Sequence, residues 1–248
     1  MSVIRNDLYQ FRQRFGDVAG FYWVQSEAVW SFLLNSQNRC DIAGNYLEIG
    51  VFHGRSAHLA AQYLSDDEIC ILVDVNDIAF VGARMAEYGR TAVIVQAPSD
   101  QLNRTAAADH RGTCRWIHVD GDHSGHAVLT DLDLAKQYVN SRGVIVVDDY
   151  YNAQYPQITA ATYKWLDLNP EYRMVLCGFN KAYLVHGRVY DLYESIIRQH
   201  LATYLEAVEE DASLAKTSYA HDMGCWGLVR KTDRQIIGRD QAVDDLPY

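Results

Sequence analysis

Acidic residues follow two β-branched runs of the sequence, and their types and spacing are suited to binding a cation. The run Trp116–Val119 leads into Asp-Gly-Asp-His at 120–123, and the run Gly143–Val147 leads into Asp148 and Asp149. Apolar runs that stop abruptly in acids are typical of buried parallel strands, which deliver those acids to the carboxyl edge of a sheet, where α/β proteins bind ligands. We therefore expect both groups of acids on the rim of one site.

The segment between the two runs predicts a single helix. It extends from Ser124, an N-cap residue, to Asn140, with apolar residues on one broad face and Gly143 as a stop signal. Strand, helix and strand then form a right-handed crossover, which makes the two strands parallel. If the strands are neighbours, their terminal acids converge.

Carboxylates that converge repel one another and raise each other's pKa values unless a cation neutralises them. An all-oxygen set formed by Asp120, Asp148 and Asp149 suits Mg²⁺, with Ca²⁺ or Mn²⁺ as alternative occupants. The alternative is that these acids are solvated strand ends and turn formers, as most such dipeptides are. Two acidic pairs at successive strand ends favour the metal site.

Length and composition indicate one α/β domain and exclude several classes of partner. The chain has 248 residues, of which 49% are hydrophobic, and a formal net charge of −10. Without a basic stripe, this charge argues against nucleic acid and anionic membranes as partners. The 5 cysteines are far apart and include no Cys-x-x-Cys pair, so they indicate neither a disulfide framework nor a zinc site. No signal peptide or membrane span is recognisable, and the expected location is the cytoplasm.

The first predicted strand, Tyr46–Ile49, leads into a turn rich in glycine and then into a helix. Glu48, Gly50 and Gly54 give the spacing Glu-x-Gly-x-x-x-Gly, with Ser56 near the start of the helix. Glycines in such a turn let the backbone approach a ligand closely, and a helix N-terminus offers free N–H groups. The dinucleotide fingerprint Gly-x-Gly-x-x-Gly is not met. An acid before the first glycine suits a cationic ligand.

Two more polar residues follow the next predicted strands. Asp74 ends the strand Ile69–Val73, where an acid is placed to hold both hydroxyls of a ribose. Ser99 follows the strand Ala92–Gln96 and is either the N-cap of the next helix or a contact to an adenine ring. Strand and helix alternate up to the second group of acids, which predicts a mostly parallel sheet.

In this order and spacing, the motifs resemble those of the class I S-adenosylmethionine-dependent methyltransferases. More narrowly, they resemble the metal-dependent small-molecule O-methyltransferases, including sugar O-methyltransferases of macrolide and aminocoumarin pathways and catechol-type enzymes. The resemblance covers residues 44–186 and rests on Glu-Ile-Gly at 48–50, Gly54, Ser56, Asp74, Asp-Gly-Asp-His-Ser at 120–124, Gly-Val-Ile at 143–145 and Asp-Asp-Tyr at 148–150. It implies a Rossmann-like, seven-stranded, mostly parallel sheet with helices on both faces and a C-terminal antiparallel hairpin.

The resemblance also implies roles for the matched residues. The residues expected to bind the cofactor S-adenosylmethionine are Glu48, Gly50, Gly54, Ser56, Asp74, Ser99 and Asp120. Those expected to bind Mg²⁺ are Asp120, Asp148 and Asp149. Asp74 would hold the ribose of the cofactor and Ser99 would approach its adenine, while the glycine turn would surround its methionine part.

Asp122 and His123, which follow the first expected metal ligand Asp120, are the two candidates for the catalytic base. Catechol-type relatives have lysine at the position of His123, whereas some sugar-modifying relatives have histidine there, and in others the acid at the position of Asp122 is the proposed base. With an ordinary pKa of about 6.5, His123 suits neutral pH better than an ionised Asp122 beside a metal. The alternative for His123 is a turn residue on a polar rim.

The whole chain, 1–248, is predicted to be one methyltransferase domain. It would consist of an N-terminal helical or lid segment (1–40), a cofactor-binding core (44–186) and a C-terminal extension (187–248). Within these parts we expect Ser26 to cap an N-terminal helix, a hairpin at the edge of the sheet near 173–185, and a helix over 190–210. The loop 217–228 would either wall the acceptor pocket or make a subunit contact.

The predicted function is Mg²⁺-dependent transfer of a methyl group from S-adenosylmethionine to a hydroxyl of a small sugar, polyol or catechol-like acceptor. The chemistry requires a base and an acceptor oxygen held in line with the sulfonium methyl. The alternatives are a nicotinamide-dependent oxidoreductase, disfavoured by the glycine spacing, and a non-catalytic nucleoside-binding protein. A homodimer is the expectation for the oligomeric state.

Overall fold

A computed structural model of the protein describes residues 2–216 and 224–231. In this part of the chain, nine strands form one mixed sheet. The strands are β1 (Asn45–Ile49), β2 (Cys70–Asp74), β3 (Ala92–Gln96), β4 (Cys114–Val119), β5 (Val139–Val147), β6 (Tyr172–Gly178), β7 (Lys181–His186), β8 (Ser213–Lys216) and β9 (Trp226–Val229). The flanking helices are α1 (Ser2–Arg14), α2 (Val24–Arg39), α3 (Arg55–Ala61), α4 (Ala79–Ala86), α5 (Gly125–Tyr138), α6 (Pro156–Leu168), α7 (Tyr190–Ile196) and α8 (Ala202–Ala207).

The strand order is β3-β2-β1-β4-β5-β7-β6-β9-β8. The first five of these strands are parallel, and β7 then pairs antiparallel with both β5 and β6. This architecture confirms the predicted Rossmann-like α/β class. None of the helices that the structure describes is both long and apolar enough to cross a membrane.

The core lies on both faces of the sheet, because successive side chains of a strand point to opposite faces. Side chains such as Tyr46, Trp116 and Val146 pack against α1, α2 and α3 on one face. Their neighbours, such as Leu47 and Ile117, pack against α5 and α6 on the other face. Covered on both faces, the parallel strands are almost entirely apolar, which made them recognisable in the sequence.

The sheet is larger than predicted, and the hairpin is not at its edge. The strands β6 and β7 form the expected antiparallel hairpin, but β9 pairs with β6 in parallel and β8 pairs with β9. Seven strands were expected and the described residues form nine, because the C-terminal extension contributes two. Of that extension, residues 217–223 and 232–248, including part of the loop 217–228, lie outside the described residues.

Two predicted helix caps are wrong. The helix α2 begins at Val24, two residues before Ser26, and the buried hydroxyl of Ser26 instead donates a hydrogen bond to the carbonyl of Phe179 at 3.0 Å. Ser99 is the first residue of a short 3-10 helix whose N-cap is Pro98. In contrast, Ser124 caps α5 as predicted, because its hydroxyl accepts a hydrogen bond from the amide of Ala127.

Gly143 is not the helix stop that the sequence indicated. The helix α5 ends at Tyr138 and β5 begins at once, so Gly143 lies inside the strand. The register with β4 changes there, from Val139 opposite Cys114 to Val144 opposite Trp116. A Cβ at position 143 would lie 2.8 Å from the carbonyl oxygen of Cys114. Glycine is thus required for the close approach of the two strands at this irregularity.

Replacing Gly143 with alanine should lower the free energy of unfolding by about 1–3 kcal/mol, because the added methyl group overpacks the junction of β4 and β5. Urea unfolding monitored by circular dichroism would measure the change. The control is Gly125→Ala at the start of α5, where the new Cβ would meet its nearest atom at 3.8 Å. A Gly143→Ala variant as stable as the wild type would contradict the close packing of these strands.

Candidate active site

The acids that end β4 and β5 lie together at the carboxyl edge of the sheet, as predicted. The two strands are parallel neighbours with Val119 opposite Val147. The amide of Asp148 donates a hydrogen bond to the carbonyl of Val119 at 2.9 Å, which joins the strand ends. Asp149 follows with a positive φ of 52°, a conformation that directs the chain out of the sheet.

His123 lies between two of these carboxylates. Its Nε2 atom is 3.2 Å from Oδ2 of Asp149 and 3.9 Å from Oδ1 of Asp120. Its ring stacks on Tyr155 with centroids 4.2 Å apart. The nearby carboxylates of Asp120 and Asp149 raise the pKa of His123 above its ordinary value, although burial opposes this. The imidazole is therefore fixed in place and electrostatically coupled to the acids.

Asp122, the other candidate base, has a different environment. Its side chain is exposed, and Oδ1 accepts a hydrogen bond from the backbone amide of Ser124 at 2.8 Å. The hydrogen bonds from Ser124 lower the pKa of Asp122. A carboxylate held in this way is a weak proton acceptor and acts as part of the turn before α5.

Asp148 differs from Asp120 in its charge environment. The ammonium of Lys181 lies 2.5 Å from Oδ2 of Asp148, and Nε2 of His118 lies 3.3 Å from the same oxygen. Although burial opposes ionisation, the charge of Lys181 and the hydrogen bond from His118 lower the pKa of Asp148. Burial and the neighbouring charge of Asp148 raise the pKa of Asp120. Asp148 is thus neutralised from within the protein, whereas Asp120 has an excess of negative charge beside it.

Glu48 does not line the cavity in which we expected it to meet a cofactor. It is fully buried, and its Oε1 atom contacts Nδ1 of His118 at 2.7 Å and accepts a hydrogen bond from the hydroxyl of Ser56. Although burial and the charge of Lys181 oppose it, the contacts with Asp148 and Glu48 raise the pKa of His118 to about 9. Glu48 therefore reaches the site through His118.

The two glycines of the first turn are needed for packing inside the protein. Gly50 lines the cavity with a φ of +82°, and a Cβ there would lie 1.9 Å from the carbonyl oxygen of Asp120. Gly54, at a φ of +78°, faces the side chain of Val81 in α4 and is not part of the cavity wall. The first glycine thus allows the ends of β1 and β4 to approach, and the second allows α4 to pack.

Asp74 supports the same turn from the end of β2. Its Oδ2 atom accepts hydrogen bonds from the amides of Val51 and Phe52 at 2.9 and 3.1 Å, and Oδ1 accepts one from the amide of Asn76 at 2.9 Å. These bonds outweigh burial and lower the pKa of Asp74. Ser99 lies nearby in the wall of the same cavity, and its side chain partly offsets the effect of burial, which raises the pKa of Asp131.

A single cavity of about 1470 Å³ connects these groups. This exceeds the volume of most sites for one small ligand, so there is room for a nucleoside cofactor and an acceptor together. The predicted site residues in its wall are Gly50, Ser56, Asp74, Ser99, Asp120, Asp122, His123, Asp148 and Asp149. The N-terminal segment 19–25 forms another part of the wall, so the predicted lid segment does border the cavity.

The carboxylates form a donor set that fits a divalent cation. Oxygen or nitrogen atoms of Asp120, His123 and Asp149 lie within 4.8 Å of one another, and those of His118, Asp120 and Asp148 do the same. The negative charge around Asp120 is the kind that a hard cation with oxygen ligands neutralises. Asp120 belongs to both groups and would be the central ligand.

Sequence reasoning missed two residues of this site, His118 and Lys181. His118 lies in β4, two residues before Asp120. Because side chains alternate between the two faces along a strand, both residues point to the same side of the sheet. A histidine in an otherwise apolar strand was therefore an available signal. Lys181 is the first residue of β7, and its contact with Asp148 depends on the pairing of β5 with β7.

Comparisons with known proteins agree with the fold and the motifs. Residues 47–150 match the family of methyltransferase domains. An uncharacterized protein of Acanthamoeba polyphaga mimivirus is 27% identical over 140 residues, which cover 53% of this chain and 62% of that protein. The chain therefore matches less than two thirds of the length of this relative.

Several solved structures share the fold at low sequence identity. The calicheamicin enzyme CalS11 has a TM-score of 0.50 at 16% identity, over 74% of this chain and 93% of its own. The O-methyltransferase NovP has a TM-score of 0.52 at 14% identity, over 66% and 80%. The MycE methyltransferase of the mycinamycin pathway has a TM-score of 0.55 at 16% identity, over 73% and 54%. Residues 47–150 thus match a methyltransferase domain, and the chain shares the fold of these solved methyltransferases.

Proposed function

We propose that the protein transfers the methyl group of S-adenosylmethionine to a hydroxyl of a small molecule, with a divalent cation held by Asp120 and Asp149 and with Asp148, the third predicted ligand, beside it. The observation that carries this proposal is the meeting of these two carboxylates and His123 in a cavity that also contains the glycine turn and Asp74. Mg²⁺ is the expected ion, with Ca²⁺ or Mn²⁺ as alternatives, because the acids supply oxygen ligands and leave space for water and substrate oxygens.

The solved structures with the same fold support the reaction type. CalS11 is described as a TDP-rhamnose 3'-O-methyltransferase, and MycE was solved with Mg and S-adenosylhomocysteine and also with mycinamycin VI. We propose by analogy that the acceptor is a sugar, a polyol or a catechol-like compound with adjacent oxygens. The N-terminal segment 19–25 and Asn180 belong to the cavity wall and would contact it.

The residues of the chain would divide the reaction between them. Asp74 and Ser99 would hold the nucleoside, so that the methyl group points towards the acids. A bound divalent cation would lower the pKa of the acceptor hydroxyl and fix its direction. The Nε2 atom of His123 would take the hydroxyl proton, since the ring is held by Tyr155 and its charged form is stabilised by Asp149 and Asp120.

Titration calorimetry of the metal-stripped protein should show binding of S-adenosylhomocysteine with a dissociation constant on the order of micromolar. Added Mg²⁺ should bind separately, and NAD should not bind. Binding of NAD in place of S-adenosylhomocysteine would favour the oxidoreductase alternative and refute the proposed function. Cofactor binding without turnover on any hydroxylated acceptor would favour the non-catalytic alternative.

Asp149→Asn should reduce methyl transfer by at least about a hundredfold and weaken Mg²⁺ binding, because it removes a ligand charge while preserving the shape of the side chain. Cofactor affinity should stay near the wild-type value. Rates, and calorimetry of both ligands, would be compared with Asp109→Asn, an exposed acid on a 3-10 helix outside the cavity. Unchanged turnover in Asp149→Asn would exclude the metal role of this residue.

His123→Ala should lose about 10²–10⁴ of the rate, the usual contribution of a general base. Asp122→Ala should lose far less, because Asp122 is bound to the turn at Ser124. The two rates are measured at saturating cofactor and Mg²⁺, with added imidazole as a rescue of His123→Ala. The opposite order of losses would assign the base to Asp122.

A further inference from the structure

Lys181 is a buried cation directly behind the carboxylate cluster. Its side chain is 2% exposed, and its ammonium contacts Oδ2 of Asp148 at 2.5 Å. The same ammonium lies 4.4 Å from the ring centroid of Tyr22 and 5.8 Å from that of Trp30. Aromatic faces stabilise a cation in a low-dielectric environment. The ammonium is thus sequestered from solvent, with Asp148 as its acidic partner.

Lys181 ends a chain of alternating charges. Glu48 contacts Nδ1 of His118 at 2.7 Å, Nε2 of His118 contacts Oδ2 of Asp148 at 3.3 Å, and Asp148 contacts Lys181. His118 and Lys181 lie 3.4 Å apart on the same oxygen of Asp148. All four side chains are at least nine-tenths buried. Each buried charge therefore has an opposite charge beside it, as buried charges require.

The arrangement leaves the acids of the cluster unequal. Asp148 is approached from the protein side by two positively charged or proton-donating groups, and its Oδ1 atom accepts a hydrogen bond from the amide of Asp149 at 2.7 Å. Asp120 and Asp149 face the cavity with His123 between them. Without Lys181, Asp148 would keep only His118 as a cationic neighbour on the protein side, and the repulsion among the three carboxylates would favour their moving apart.

We infer that Lys181 is an internal counter-cation that holds Asp148 beside Asp120 when no divalent cation is bound, and thereby keeps the metal site assembled. It is a positioning residue, because it acts on the site through Asp148. The inference rests on the divalent cation of the proposed function. Lys181 and the bound cation would then share the charge of Asp148, each from its own side.

The test is thermal unfolding of Lys181→Met with EDTA and with saturating Mg²⁺. Methionine keeps the length of the side chain and removes the charge. In EDTA the melting temperature should fall below that of the wild type. Mg²⁺ should raise it by clearly more than it raises that of the wild type, because a cation that replaces a lost charge binds more tightly and its stabilisation grows with the logarithm of its affinity. Calorimetry should correspondingly show about tenfold tighter Mg²⁺ binding. An equal Mg²⁺ shift in both proteins would overturn the inference.

A matched control separates this effect from the general cost of removing a buried cation. Arg115 is also buried and contacts Glu68 at 3.2 Å, near the N-terminal end of β4, whereas the acids follow its other end. Arg115→Met should lower the melting temperature by the same amount with EDTA and with Mg²⁺. A Mg²⁺-dependent rescue of Arg115→Met would show that the ion stabilises any weakened variant, and would overturn the inference.

A double variant covers the case in which Lys181→Met fails to fold. Asp148→Asn combined with Lys181→Met removes both charges, so in EDTA it should be more stable than Lys181→Met alone. A double variant no more stable than the single one would overturn the inference. If the wild type binds S-adenosylhomocysteine but no Mg²⁺, the metal of the proposed function is refuted. The comparison in EDTA would still decide whether Lys181 is the counter-cation of Asp148.

Discussion

Repulsion between carboxylates at the ends of β4 and β5 is the constraint on which the rest of the site depends. Parallel pairing brings Asp120 and Asp148 to one edge of the sheet, where water is partly excluded and like charges interact strongly. The protein compensates from two sides. Lys181 and His118 face Asp148 from the core, and His123 faces Asp120 from the cavity. Acids of the same type thereby acquire different properties.

The N-terminal helices take part in this compensation, although they lie outside the matched methyltransferase domain. Tyr22 and Trp30 cover the ammonium of Lys181. Glu27 of α2 is buried and accepts hydrogen bonds from Arg55 at 2.6 Å and from Arg12 at 2.9 Å. Since Arg55 begins α3, directly after the glycine turn, this ion pair fixes the N-terminal segment to the turn that walls the cavity.

What the sequence could predict follows from the range of the interactions involved. The parallel strands were recognisable because burial on both faces makes them apolar, and the acids were recognisable because each ends its strand. The cap at Ser124 is a local hydrogen bond and was predicted correctly, whereas Ser26 was assigned to a cap and instead binds the distant carbonyl of Phe179. The residues next to each serine in the sequence could not show which of the two caps a helix.

The parts of the site that the sequence did not predict depend on pairing between distant segments. Glu48 was expected to contact a ligand because it lies just before Gly50. Its side chain instead points into the core and contacts His118, because the pairing of β1 with β4 places the two residues opposite each other. Lys181 meets Asp148 only because β7 lies antiparallel beside β5. The number of strands in the sheet could likewise not be predicted, because it depends on the pairing of β9 with the distant strand β6.

The return of β9 to β6 also has a consequence for the order in which the protein can fold. Leu176 and Cys177 pair with Trp226 and Gly227, about fifty residues later in the sequence. Contacts of such sequence separation form slowly, because closing a long loop costs entropy before any pairing repays it. During synthesis, the outer edge of β6 therefore stays unpaired after the acids of the site have already been joined. An unpaired strand edge is a template for association with other chains, and the pairing of β9 with β6 moves this open edge outwards to the short strand β8.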